Sequence, residues 1–424
     1  MNLNRRDLLK TGALAATGAL LPRSMRSVFA APGGSTASPK SMIVLWLGGG
    51  PATIDLWDPK PGRPNGGPVQ AIETTVPSIQ VSEYLPKSAQ RVKDFAIIRS
   101  MKTTQADHDR GNYLLHTGYD PNPTVRHPGF GAVCSSEIGR PDFDIPSYIS
   151  IGGNAARAGI LGVAHDPFVV GNARDPLVYI REAVDAERGS ERAKLLEKRE
   201  EEYAAKDDEA ARTRREVLHR SRRLMKSPLL EAFDVSKEKP ELRQEYGQTP
   251  FGDGCLLARR LTEAGVAYVE VVVGGWDTHR GNFAAVKNLC HTLDPAMAAL
   301  FKDLKDRGRL DQTLVLVMGE FGRTPRVNEF DGRDHYARAW ACAIGGAGIQ
   351  GGKVVGATDE DGEEVTEKPV SAQDLLATCC AALSIDPLKE NYSAEGRPIK
   401  IVKDGTVVKD LLTVSDMPEK PRAY

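Results

Sequence analysis

Charge of one sign is missing from this sequence. Its 56 lysines and arginines face 57 aspartates and glutamates, a formal net charge of −1. No basic footprint for nucleic acid follows from that balance. No internal repeat and no low-complexity array is present. Long apolar runs are also missing. The weakly apolar stretch Thr11 to Leu21 is about 11 residues, where about 20 are needed to cross a bilayer, so no stable membrane span is expected. Cysteine is scarce: Cys134, Cys255, Cys290, Cys342, Cys379 and Cys380 show no zinc spacing. Most of them read as buried apolar fillers. A disulfide is permitted outside the cytoplasm and is not required at this size.

What is present is a chain of 424 residues, 41% hydrophobic, which is the composition of a globular protein with one large α/β domain or two ordinary ones. The N-terminus reads as a targeting segment. Asn4-Arg5-Arg6-Asp7-Leu8-Leu9-Lys10 precedes the weakly apolar stretch, and Val28-Phe29-Ala30 offers a small-residue cleavage site. The paired arginines resemble a twin-arginine export signal over residues 1–30, with a retained N-terminal anchor as the alternative. The expected location is periplasmic or secreted. Residues 31–40 form a flexible Pro/Gly/Ser-rich lead-in, and residues 31–424 are read as a single domain.

Apolar runs that end in glycines and carboxylates organise the rest. Leu314 to Met318 is short and β-branched, and reads as a strand buried on both faces. It gives way to Gly319, Glu320, Gly322 and Arg323, then to Asp334 and His335. Ala267 to Val273 is a second such run, followed by Asp277 and His279. Between them, Pro295 to Arg307 carries Met297, Leu300, Phe301 and Leu304 at helical spacing and is stopped by Gly308. A strand–helix–strand crossover is right-handed with parallel strands, so both polar loops leave from one edge of a sheet. Met42 to Leu47 is the first strand and leads to Gly48-Gly-Gly50 and Asp55. Phe95 to Ile98 leads to Thr104, His108 and Arg110, then a helix through Tyr113 to Thr117. Pro146 to Ile151 and Ala341 to Ile344 are further strands, Leu161 to Val170 reads as a loop, and His116 as packed or solvated. Thr249-Pro250 opens a helix that stops at Gly265, and Ser371 to Leu383 is another. From about 184 to 248 the chain is charged and helix-favouring, which reads as an inserted, mostly solvated pair of helices.

Asp55, Asp277, His279, Glu320, Asp334 and His335 therefore converge at a C-terminal sheet edge, where open α/β sheets bind ligands. Imidazole with carboxylates suits Zn or Mn, and carboxylates alone suit Mg or Ca. The alternative is a hydrogen-bonded polar cluster that closes the sheet end. Arg323 and Arg110 can hold an anionic substrate by paired hydrogen bonds.

Gly49-Gly-Pro-Ala-Thr-Ile-Asp55, Gly275-Trp-Asp-Thr-His279, Met318-Gly-Glu-Phe-Gly-Arg-Thr-Pro325 and Gly332-Arg-Asp-His335 resemble the domain of unknown function 1501 family, exported proteins similar to sulfatases. The resemblance implies the fold of the alkaline phosphatase and sulfatase superfamily. That is an α/β/α sandwich with a mostly parallel central sheet and one or two divalent metals at its C-terminal edge. By the resemblance, Asp55 matches the first acidic ligand, Asp277 and His279 the ligands of the second half, and His335 the last histidine. Glu320 stands where those enzymes carry aspartate. Aligning Leu115-His-Thr-Gly118 with the sulfatase Leu-Leu-Thr-Gly puts His108 in the place of the nucleophile, and the Cys-x-Pro-Ser-Arg signature is absent. Thr104, metal-bound water and His108 are the candidates. The expected activity is a metal-dependent hydrolase of sulfate or phosphate esters, acting on a small anionic substrate such as a sulfated or phosphorylated sugar. The alternatives are a non-catalytic binding protein on a degenerate hydrolase scaffold and a phosphomutase-type enzyme.

Overall fold

The computed structural model describes residues 40–153, 155–177, 186–204 and 209–413. The stretch read as a targeting segment, with Arg5 and Arg6, and nearly all of the expected lead-in lie outside the described residues.

Eight strands form the central sheet: β1 (Ser41–Leu47), β2 (Phe95–Met101), β3 (Tyr148–Ile151), β4 (Phe168–Val170), β5 (Tyr268–Val273), β6 (Thr313–Met318), β7 (Trp340–Gly345) and β8 (Val354–Val355). Their order is β8-β2-β7-β6-β1-β5-β3-β4. All run parallel except β7, which is antiparallel to β2 and β6. The strand expectations hold, with one correction. Within the stretch read as a loop, Phe168–Val170 pairs in parallel with β3. It is short and half-exposed, so it lacks the fully apolar signature of an interior strand.

Helices cover both faces. They are α1 (His108–Thr117), α2 (Phe130–Glu137), α3 (Ala186–Ala204), α4 (Glu209–Lys226), α5 (Pro250–Ala264), α6 (Asn282–Asp306) and α7 (Ala372–Leu383). Side chains alternate along a strand. Ile43, Leu45 and Leu47 of β1 accordingly pack with Leu256 of α5 and Met297 of α6. Met42, Val44 and Trp46 pack with Leu114 of α1 and Leu375 of α7. The result is a three-layer α/β/α arrangement with two buried apolar interfaces.

Local signals set the helix ends. Thr249 accepts from Gly252 N (3.0 Å) ahead of α5, and Gly265 ends it in the left-handed region. Ser371 and Asp374 form a capping box at α7. Helix α6 begins well before the expected Pro295 and runs through it, at the cost of one backbone hydrogen bond. Helices α3 and α4 are mostly exposed, tied by Arg214 to Glu200 at 2.8 Å. The end of α4 meets the core through Leu224, and Phe233, Val235 and Tyr246 beyond it are buried.

Strand β1 lies between β5 and β6, so the loops after these three strands adjoin at one edge. Strand β2 points the same way, and its exit loop leads into the N-terminus of α1.

Candidate metal centre

The β1 exit is glycine because other backbone presses on it. A Cβ on Gly49, whose φ is +118°, would lie 2.5 Å from Asp277 N. This close approach brings the β1 loop against the β5 loop. Beyond β6, Gly322–Arg323 pairs antiparallel with His335–Tyr336 and sets His335 opposite Arg323. The four exits thereby bring Asp277, His279, His335 and His108 together.

Three imidazoles face one carboxylate oxygen. Asp277 Oδ1 lies 3.1 Å from His279 Nε2, 3.2 Å from His335 Nε2 and 3.5 Å from His108 Nε2. The Nε2 atoms of His279 and His335 are 3.0 Å apart. Each ring is held from behind through Nδ1. His108 Nδ1 meets Glu320 Oε1 at 2.7 Å, His279 Nδ1 meets Asp334 Oδ1 at 2.7 Å, and His335 Nδ1 meets the Ala106 carbonyl at 2.7 Å. Those partners are acceptors, so each Nδ1 carries the proton and each Nε2 is left as a lone pair. Lone pairs facing a carboxylate repel one another. The arrangement is stable with a proton on an Nε2 or with a cation among the donors. His108, Asp277 and His335 offer ligand atoms within 4.8 Å of one another.

Burial separates donors from supports. The Asp277 side chain is 46% exposed and that of His279 43%, so the cluster opens to solvent. Glu320 is buried. Its Oε1 also accepts from Gly49 N at 2.9 Å, and its Oε2 is buried without a hydrogen-bond partner. Burial pushes the Asp277 carboxyl up, but the hydrogen bond and charge of the Arg323 guanidinium outweigh it and bring it to about 2. The hydrogen bond from His279 holds the Asp334 carboxyl below its ordinary value.

Two residues expected at the ligand edge are engaged elsewhere. Asp55 is fully buried, and Arg333 and Asn282 take its oxygens. Arg333 Nη2 reaches Oδ1 at 2.7 Å, Arg333 Nε reaches Oδ2 at 2.9 Å, and Asn282 Nδ2 reaches Oδ2 at 2.6 Å. Asn282 Oδ1 in turn accepts from Thr278 Oγ1, and Arg333 N donates to the Thr278 carbonyl. The Asp55–Arg333 pair thus braces both ligand loops. Arg323 is buried and donates to the Gly50 carbonyl (2.7 Å), the Arg333 carbonyl (3.1 Å), the Gly49 carbonyl and Asp277 Oδ1. It is an internal tie, with little left for a substrate. Thr104 is exposed on the loop before α1, and Arg110 is exposed on the first turn of α1. Sequence reasoning missed Arg333, Asn282 and the Ala106 carbonyl. Only the place of Arg333 within Gly332-Arg-Asp-His335 hinted at a role.

A family model described as Protein of unknown function (DUF1501) matches residues 39–412. No curated protein matches the chain. Among solved structures, Ps i-CgsB in complex with k-i-k-neocarrahexaose overlays with a TM-score of 0.41 at 11% identity, covering 82% of this chain and 73% of that one. A protein in the alkaline phosphatase superfamily from Vibrio parahaemolyticus gives 0.38 at 12% identity, covering 82% and 67%. The C-terminal periplasmic domain of EcEptC from Escherichia coli, in complex with Zn, gives 0.37 at 10% identity, covering 89% and 96%. Likenesses this low carry no argument about chemistry.

Proposed function

The chain belongs to the DUF1501 family, and from that premise and the geometry of its sheet edge we propose that it is an exported, metal-dependent hydrolase of sulfate or phosphate esters. The observation that carries the reading is the convergence of three Nδ1-tethered imidazoles on Asp277 Oδ1. His108, His279, His335 and Asp277 are the proposed ligands. A donor set of three nitrogens and one oxygen suits Zn or another first-row transition metal better than Mg or Ca. One ion is proposed, because the other carboxylates at this edge are committed: Glu320 to His108, Asp334 to His279 and Asp55 to Arg333.

A divalent ion bound there supplies Lewis acidity toward an ester oxygen and acidifies water. The chain's own residues do the rest. Glu320, Asp334 and the Ala106 carbonyl fix the tautomers and aim of the three rings. Arg323 holds the Asp277 carboxylate against the Gly49–Gly50 turn. The exposed side of Asp277 and His279 leaves room for an anionic substrate. All six cysteines are buried, so none offers a sulfatase-type nucleophile. Water and the exposed Thr104 remain as sources of the attacking oxygen. Among the described residues no helix is long and apolar enough to cross a membrane, and Arg5-Arg6 supports twin-arginine export to the periplasm or medium.

The commitment of Arg323 to internal partners favours a second reading, in which the centre holds an anionic saccharide without turnover. Purified protein assayed on aryl sulfates and aryl phosphates separates the two. Hydrolysis that chelator abolishes and Zn or Mn restores is expected. Metal-loaded protein that binds but never turns over either ester class would leave the binding reading.

A further inference from the structure

One loop away from the metal edge, a cavity of about 640 Å³ lies between the turn after α1 and the C-terminal hairpin Glu390–Lys400. That volume is within the usual range for a small-ligand site. On one wall the rings of Tyr119 and His127 stack face to face, with centroids 4.0 Å apart and planes within 6°. Both are fixed: the Tyr119 hydroxyl donates to the Lys400 carbonyl at 2.7 Å, and His127 Nδ1 meets the Tyr113 hydroxyl at 2.8 Å. Burial, and then the Arg397 charge, pull the His127 ring below its ordinary value.

Arg397, Lys400 and Lys403 line the cavity from the hairpin side and are exposed. Among the described residues none of the three makes an ion pair. Cations grouped around a concavity without carboxylate partners are poised for an anion. The carboxylates present are not their partners. Asp120 accepts from Gln105 Nε2 at 2.8 Å, and Glu390 approaches the Tyr392 hydroxyl at 3.5 Å. Asp404, in a left-handed turn, also lines the cavity.

The Gln105 contact joins this cavity to the metal edge. The next residue, Ala106, accepts from His335 Nδ1. The loop before α1 therefore holds one lining residue, Asp120, and supports a proposed ligand.

We propose that this cavity binds an anionic sugar unit of an oligosaccharide, with the cations on its sulfate or phosphate and the aromatic wall against its ring. The placing of a neighbouring unit's ester at the metal edge rests on the hydrolase reading; binding in the cavity does not. The substrate is then a charged oligosaccharide and not an isolated ester.

The test is calorimetric, on metal-stripped mature protein, with a heparin-derived hexasaccharide, its desulfated form and inorganic sulfate as probes. The sulfated hexasaccharide is expected to bind at least about tenfold tighter than either comparison probe, a difference of about 1.4 kcal/mol. The Arg397→Ala/Lys400→Ala/Lys403→Ala variant should lose that margin while keeping wild-type hydrolysis of a small aryl ester. Tyr119→Leu, with the cations intact, should weaken the saccharide and leave inorganic sulfate unchanged. Equal binding by wild type and the triple variant would overturn the proposal. So would inorganic sulfate binding as tightly as the hexasaccharide. An inactive protein that still shows the cation-dependent binding would defeat the hydrolase reading alone.

Discussion

At Asp277, one carboxylate oxygen collects Arg323 and all three imidazoles. Asp277→Asn keeps the size and removes the charge that favours a cation. We expect the variant to fold and to lose its metal, read by elemental analysis beside circular dichroism. Glu320→Gln is a finer probe, because Glu320 is no proposed ligand itself and supports His108 and the Gly49 turn. Loss of such a support weakens metal binding by about 10–100-fold, measurable by competition with a chromophoric chelator. Unchanged affinity would remove Glu320 from the site. A separate prediction concerns His116, buried beneath Trp46 with Nε2 3.1 Å from Glu270 Oε2. Burial lowers its pKa, but the Glu270 charge and hydrogen bonds to Glu270 and the Asn112 carbonyl outweigh that and raise it. A raised folded-state histidine pKa stabilises fully below the unfolded value, about 6.5, and the effect fades as pH rises through the folded value. The stability margin of wild type over His116→Phe, from urea denaturation, should therefore shrink as pH rises above about 6.5. A margin that grows with pH would refute the pairing. Much of this chemistry could be read from residue type and strand end. The roles could not. A strand-end aspartate looks the same in sequence whether it faces a cation, as proposed for Asp277, or an arginine, as Asp55 faces Arg333.

The strands that frame the site were readable because burial on both faces makes them continuous apolar runs. The same logic hid Phe168–Val170, whose half-exposed edge position removes the pattern. Helix α6 looks short in the sequence because proline is commoner at a helix start than in its interior. The long-range brace between Asp55 and Arg333 had no local signal, as its partners are 278 residues apart. Its removal should still be costly. Asp55→Ala leaves a buried guanidinium unpaired, for which a loss of about 3–5 kcal/mol is typical. Asp55→Asn should cost less. Both should loosen metal binding, since Thr278 and Asp334 hang from the same brace. A stable Asp55→Ala protein with normal metal affinity would contradict this. The exposed helices α3 and α4 should behave in the opposite way. Their surface ion pairs are worth about 0–1 kcal/mol each. Excision of Glu200 to Arg223 stops short of buried Leu224 and should leave a folded core that still loads metal. A deletion protein that cannot fold would make these helices part of the core.

The whole molecule, on this account, is exported and carries one transition-metal ion on the rim of a braced α/β/α sandwich. Arg5→Lys/Arg6→Lys should leave the precursor in the cytoplasm, as followed by cell fractionation. Normal export of that variant would remove the twin-arginine assignment and leave the metal centre untouched. The centre is tested most directly by crystals of Zn-loaded protein, with diffraction recorded on either side of the Zn absorption edge. The account predicts one anomalous peak per chain, bounded by the Nε2 atoms of His108, His279 and His335 and by Asp277 Oδ1, and absent from Asp277→Asn crystals. No peak at full Zn loading, or a peak between Asp55 and Glu320 with the three imidazoles unoccupied, would contradict it.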